Sequence, residues 1–314
     1  MPSPHLMARP AQSAPLRGPR RDASDPWAAL LRLCRTHPSL SRLSLRAVDV
    51  APLQADEASG LTQLTRLSVS PSEWFQWSDH VSSSEPEFVP GSLEGLWALT
   101  GLQSLALVGS RAGNTHRMSL SPSDVRRMAG LSSLRELSLE RFCVECWDDP
   151  GLDQLTALSA LTSLAISDAF FYSGCDRPFD GLSRLCHLRA LRLPYLHRAS
   201  TSGAPPYLDL ETLQGMSSLT HLDLSASSLL SDEGMQYLHC VPALQCLLLS
   251  AGPPGQRRPL PKRAPGAGIT DEGLPRLVGL TSLTRLSLAW NEHVTWAGVA
   301  VLAALRGLQA SDAA

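Results

Sequence analysis

Lysine is almost missing from this chain of 314 residues: Lys262 is the only one, and arginine carries the rest of the positive charge. The 27 basic and 29 acidic residues leave a formal net charge of −2, so no global field draws the protein to nucleic acid or to an anionic membrane. Long apolar runs are missing too. The start of the chain lacks the apolar core of a secretory signal, its best run being Trp27 to Leu31. A later stretch, Ala297 to Leu305, contains a glycine and is far too short to span a bilayer, so a soluble protein is expected. The cysteines number seven, an odd count, and lie scattered with no cluster at either end. Catalytic phrases are absent as well. There is no His-Glu-x-x-His, no Gly-x-Ser-x-Gly and no phosphate loop, since Lys262 lies within Pro-Leu-Pro-Lys-Arg. No cofactor, no metal and no catalytic residue is expected.

Residues 1–24 are rich in Pro, Ser and Arg, with no acid before Asp22. Such a composition buries too little apolar surface to order itself, and 1–26 reads as a disordered tail. An organelle transit peptide is the alternative, because such peptides favour Arg and Ser and avoid acids. The prolines argue against the amphipathic helix it would need.

What the chain does have is one short pattern, Leu-x-x-Leu-x-x-Leu-x-Leu, nine times over with conservative swaps. Clear copies start at Leu131 and end at Leu139, and start at Leu280 and end at Leu288. Taking the first Leu of each Leu-x-Leu as a register mark gives Leu43, Leu67, Leu105, Leu137, Leu164, Leu191, Leu222, Leu247 and Leu286. The intervals are 24, 38, 32, 27, 27, 31, 25 and 39 residues, so the long ones carry insertions. Each Leu-x-Leu predicts a short strand whose alternation sends both leucines to one face. One such unit cannot bury its leucines alone, so stability must come from stacking neighbours. Between strands, four phrases signal a helix start: Ser121 to Val125, Ser231 to Met235, Thr270 to Leu274 and Thr295 to Val299. Each opens on a hydroxyl that can cap free backbone N–H groups, and acids follow in three of them.

This pattern resembles the leucine-rich repeat family over roughly residues 27–308, as about nine repeats. The resemblance implies an α/β fold: a leucine-rich repeat solenoid with a curved parallel sheet and helical or irregular returning legs. Insertions are expected near 71–90, 110–120, 195–207 and 251–268, and a tail over 309–314. The Asp-Glu-Gly-Leu phrases resemble the cysteine-containing repeats of F-box and related intracellular proteins. Family strands usually carry Asn or Cys three residues after the second Leu. Here that place holds Val48, Ser72, Ser110, Phe142, Ala169, Leu196, Ser227, Gly252 and, once, Asn291, so the polar ladder is mostly serine or lost. Extracellular members usually close their ends with disulfide clusters. Their absence here implies a reduced intracellular compartment, the cytoplasm first and an imported organelle second.

The face opposite the core follows from the register. Its leading row is Arg42, Arg66, Ser104, Glu136, Ser163, Ala190, His221, Cys246 and Arg285, and its middle row includes Arg192 and Asp223. Its third row begins with Arg46 and includes Glu140. Small Ser and Ala residues fill about half of this face and it has no aromatic residue, whereas tight interfaces rest on Trp, Tyr and Arg. Two charge features remain: the arginines Arg42, Arg46 and Arg66, fit for an acidic partner segment, and the pair Glu136 and Glu140. The plainer reading of both is a solvated surface kept soluble by mixed charges.

Cys246, beside His221 with Asp223 two residues further on, could form an activated thiolate. Against that stands an open sheet with no pocket and no oxyanion site. Cys143 and Cys146 have redox or zinc-ligand spacing, but they follow a strand and have no second pair. The insertion 71–90 holds Trp74, Phe75, Trp77 and Phe88 with four acids and no base; 251–268 holds Arg257, Arg258, Lys262 and Arg263 with no acid. Either can be a docking loop, and either can be a plain connection. Trp74, Trp77, Tyr195 and Trp290 stand in or beside loops flanking the sheet and are the candidate rim anchors.

Together these features predict a non-enzymatic scaffold that binds protein partners through its sheet face and rim loops, without nucleic acid or membrane. The residues do not identify the partner. The alternative is a substrate-recognition module of an F-box-type ubiquitin ligase, because Trp27 to Leu40 resembles the first helical leg after such a box. No box is visible in the residues before it. A GTPase-activating protein on this fold is a third class, and no residue carries its signature.

Overall fold

The computed structural model describes residues 32, 36–46, 61–70, 94–109, 118–120, 122–144, 151–171, 179–198, 210–226, 231–251 and 269–309. Along the chain its strands are β1 (Arg42–Arg46), β2 (Arg66–Ser70), β3 (Ser104–Val108), β4 (Met118–Leu120), β5 (Glu136–Glu140), β6 (Phe142–Val144) and β7 (Ser163–Ser167). There follow β8 (Phe170–Phe171), β9 (Ala190–Arg192), β10 (His197–Arg198), β11 (His221–Asp223), β12 (Cys246–Leu248) and β13 (Arg285–Ser287). Nine of them form one parallel sheet in the order β1-β2-β3-β5-β7-β9-β11-β12-β13. All nine register marks pair in a single row from Leu43 to Leu286. This is a leucine-rich repeat solenoid, with the strand pairing that the spacing of the marks predicted.

The returning legs are tighter than α-helices. Buried side chains recur at every third residue: Leu152, Leu155, Leu158, Leu161 and Leu164, then Met235, Leu238, Val241, Leu244 and Leu247. A period of three matches the 3₁₀ helix, whose i and i+3 side chains eclipse. The legs at Gly151–Ala157, Asp180–Arg184, Leu210–Leu213, Gly234–Cys240 and Leu274–Leu277 are accordingly 3₁₀. Among the described residues only α1 (Pro122–Met128) and α2 (Trp296–Val301) are whole α-helices. Both begin where a hydroxyl-led phrase predicted, and Thr295 caps α2 by accepting from the N–H of Ala297 at 3.2 Å. Each fully buried leucine contributes roughly 1.5–3 kcal/mol, available only because the next repeat covers it.

A second parallel sheet, β10-β8-β6-β4, was not anticipated. It starts just past the main sheet, and two of its strands lie in the segments expected to be insertions, 110–120 and 195–207. The chain reaches its strands β6, β8 and β10 through a left-handed turn. Arg141, Asp168, Tyr195, Ala226 and Trp290 all have positive φ, between 49° and 65°, and all stand four residues after a register mark. In this conformation the N–H groups of Arg141, Asp168, Tyr195 and Ala226 reach the carbonyls of the next repeat, as from Tyr195 to Ser225 at 2.9 Å. None of the five is the glycine that such backbone favours.

Three polar devices fasten neighbouring repeats. At the leading end of each strand, one carbonyl accepts two N–H groups of the next repeat, as Ser41 does from Thr65 at 2.8 Å and Arg66 at 3.0 Å. The hydroxyls of Thr65, Thr162, Thr220 and Thr284 donate to the same carbonyls at 3.0–3.1 Å. On the legs, Asp232 accepts from the N–H and the hydroxyl of Thr270 at 2.9 and 2.6 Å, and Asp271 does the same with Thr295 at 2.7 and 2.6 Å. Gly273 and Gly298 leave the room each carboxylate occupies, since a Cβ there would overlap it. Where the family places asparagine, Phe142, Ala169 and Leu196 are fully buried instead. Among the described residues at this place, Asn291 alone keeps the polar role, donating to Leu249 and Leu288 at 2.9 Å.

Two outcomes follow from these devices. Ala226→Gly relieves a left-handed alanine and is expected to stabilise the protein by about 1 kcal/mol in chemical denaturation; a loss would show that the turn carries no strain. The bonds from the hydroxyl and N–H of Thr295 hold the Asp271 carboxyl below the usual aspartate range. A folded pKa below the unfolded one gives stability that is present above about pH 4 and fades as pH falls through the folded value. Asp271→Asn should therefore flatten the acid limb of a melting-temperature profile, and an unchanged limb would show that this latch contributes nothing.

Candidate partner-binding face

Among the described residues nothing covers the outward face of the main sheet. Its strands pack edge to edge on one another, and apart from Cys246 every outward residue of β2 to β13 in that sheet is exposed or half-buried. Small side chains leave the backbone within reach: Ser68, Ser104, Ala106, Ser138, Ser163, Ala165 and Ala190 cover its centre. Side-chain alternation in β1 to β7 produces this arrangement, with leucine, isoleucine or valine inward and a small or charged residue outward.

The structure joins the two charge features. Arg66 Nη2 lies 3.9 Å from Glu136 Oε1, reaching across β3, where the small Ser104 stands between them in register. The second acid, Glu140, is paired with Arg141, whose Nε lies 4.0 Å from Asp168. Arg42 is exposed and has no ion-pair partner among the described residues, and Arg46 stands opposite Ser70 in β1. Arg42, Ser44, Arg66, Ser68, Ser104 and Ala106 line a shallow depression at this end of the sheet.

Further along, Arg192 is exposed and lies opposite Asp223 in register, with no ion pair between them. Asp223 instead accepts from the N–H of Ser225 at 2.9 Å. Tyr195 and Trp290 are 37% and 50% exposed, both in the row of left-handed turns, so the fold holds them at the trailing rim. Between them in that row stand only Ala226 and Ala251, so two aromatic side chains flank a floor of small ones.

Trp74 and Trp77 lie outside the described residues, as do the 71–90 insertion, most of 251–268, the tail 1–26 and most of the Trp27 to Leu40 leg. Sequence reasoning missed Trp296, which is 86% exposed. Aligning the hydroxyl-led phrases would have found it, because Trp296 takes the position of Asp232 and Asp271 in the last leg.

The thiol grouping needs a correction. Cys246 does pair in register with His221, but it is 9% exposed rather than solvent-facing. His221 Nδ1 is hydrogen-bonded to the Thr220 hydroxyl at 2.8 Å, and Asp223 is engaged with Ser225, so neither is set to activate the thiol. Of the Cys143 and Cys146 pair, Cys143 sits in β6 and Cys146 lies outside the described residues. No group of three or more possible metal ligands occurs among the described residues. Iodoacetamide is expected to modify Cys246 no faster than free cysteine at neutral pH, as read by mass spectrometry of its peptide. Faster labelling would restore the activated-thiolate idea.

No known family model matches this chain, and no curated protein matches it. Among solved structures, an internalin C2 from Listeria monocytogenes strain 4b F2365 is similar over 80% of this chain and 81% of its own, at 17% identity and a TM-score of 0.46. A second internalin from the same strain is similar over 92% and 93%, at 16% identity and a TM-score of 0.33. Both superpose loosely, and the repeat architecture stands on the strand order and register of this chain itself.

Proposed function

We propose that this protein is a non-enzymatic scaffold that binds protein partners on the outward face of its main sheet, with Tyr195 and Trp290 as anchors at the trailing rim. The observation that supports this most is the open nine-stranded face itself. Nothing among the described residues covers it, and apart from Cys246 its outward residues from β2 to β13 are not buried. The small residues on this face let a partner's backbone come close to the sheet. Arg42, Arg46 and Arg66 suit an acidic partner segment, with Glu136 and Glu140 setting the opposite sign beyond it. The free thiols of Cys186, Cys240 and Cys246 fit a reducing compartment, the cytoplasm first. No helix among the described residues is long and apolar enough to cross a membrane.

The test is a pair of face-blocking variants, Ala106→Arg and Ala165→Glu, beside the leg control Gln236→Arg. All three positions are outward, so each variant should melt within about 0.5 kcal/mol of the wild type. Partners captured from native lysate by the wild type and by Gln236→Arg should be lost from both face variants. Capture that survives both face substitutions would place the binding surface elsewhere.

A further inference from the structure

Two guanidinium groups on neighbouring strands stand in the same row, and among the described residues only one carboxylate, Glu136, lies within ion-pair distance of either. Arg42 and Arg66 are register partners on β1 and β2, so their stems leave the sheet about 4.8 Å apart. Like charges directly opposite one another across a strand pair are destabilising. The compensation is slight. Glu136 reaches only Arg66, at 3.9 Å, with both side chains about half exposed, and such a surface pair contributes about 0–1 kcal/mol. Arg42 has no ion-pair partner among the described residues. The depression between these side chains is lined by the hydroxyl-bearing Ser44, Ser68 and Ser104, and by Ala106, and no carboxylate is among its described lining residues.

We infer that this depression between β1, β2 and β3 binds a phosphoserine or phosphothreonine in an extended segment of a partner protein. The inference rests on the binding-face reading and deepens it. Stoichiometry of charge and acceptors selects the ligand. A carboxylate has two oxygens and one charge, and a single guanidinium fork satisfies both. A phosphate monoester carries a charge of about −1.5 to −2 and three acceptor oxygens, enough to bridge both arginines and still accept from a serine hydroxyl. The short stem of phosphoserine also requires the partner's backbone to lie close to the sheet, and Ser44, Ser68 and Ala106 leave that space. Glu136, two strands beyond Arg66, repels an anion placed further along and so holds the phosphate to the β1–β2 end.

The probe is a degenerate peptide library in three matched forms, with phosphoserine, serine or glutamate at the central position, presented to the full chain. Wild-type protein should retain the phosphoserine form over the other two by at least about tenfold, equivalent to about 1.4 kcal/mol. Arg42→Ser combined with Arg66→Ser should bring that ratio to about one. The same variant should melt no lower than the wild type, because it removes a repulsion, so lost binding cannot be charged to unfolding. Inorganic phosphate at the concentration of the peptides should not displace them. A ratio near one in the wild type, a preference that survives the double substitution, or equal competition by inorganic phosphate would each overturn the inference. Failure here with lysate capture still blocked by Ala106→Arg and Ala165→Glu removes the phosphate and leaves the binding face; loss of face dependence removes both.

Discussion

No repeat of this protein can bury its own leucines, and everything else in the structure follows from that dependence. A register leucine inside the sheet, such as Leu137 or Leu164, is at most 1% exposed because the strands on both sides cover it. At the β13 edge, Leu286 and Leu288 occupy the same places and are only partly buried. The requirement acts on register rather than on chain length. Intervals of 38 and 39 residues are therefore accommodated as readily as 24, provided the chain returns with its leucine opposite the previous one. The core row from Leu43 to Leu286 runs unbroken across the longer intervals.

Hydrophobic stacking sets that row, but it does not by itself hold one repeat at a defined height on the next. Directional bonds do so. The doubly accepting carbonyls and threonine hydroxyls pin the leading end of each strand, and the aspartates of the legs pin the outer side. The series of aspartates ends at Trp296, where an exposed aromatic replaces the carboxylate, so the last leg offers no polar latch of this type. With the core and most of the fastening assigned to inward residues, legs and turns, the outward face carries little structural duty beyond pairs such as Arg66 with Glu136 and Ser250 with Ser287. Serines, alanines and arginines there are free to serve recognition. The left-handed turns show the converse, since Tyr195 and Trp290 keep large side chains where glycine would relax the backbone.

Much of the fold was legible in the chain, because a repeat multiplies one weak local signal nine times over. The register marks, the outward rows and the starts of both α-helices follow from counting residues. The 3₁₀ legs were legible too, in the three-residue spacing of Leu152, Leu155 and Leu158, but a helix-start signal says nothing about pitch. The second sheet was not legible. Its strands are two or three residues long, too short for alternation to register, and β6, β8 and β10 come side by side through the left-handed turns that precede them. At the candidate site, the outward positions of Arg42, Arg66 and His221 were foreseen. The burial of Cys246 and the reach of Arg66 over Ser104 to Glu136 were not, since both depend on how side chains lie across neighbouring strands.

The sequence by itself determined the period, and with it the parallel solenoid, the row of buried leucines and the identity of the residues presented to solvent. A period is a property of spacing along the chain, and spacing is written directly in the residues. Only the tertiary structure decided which charges meet, where the backbone turns left-handed, and which carboxylate latches which hydroxyl. These are relations through space between residues 24 to 70 positions apart, whether Asp271 on Thr295, Asp232 on Thr270 or Arg66 on Glu136. They exist only once hydrophobic stacking has set neighbouring repeats about 4.8 Å apart in register.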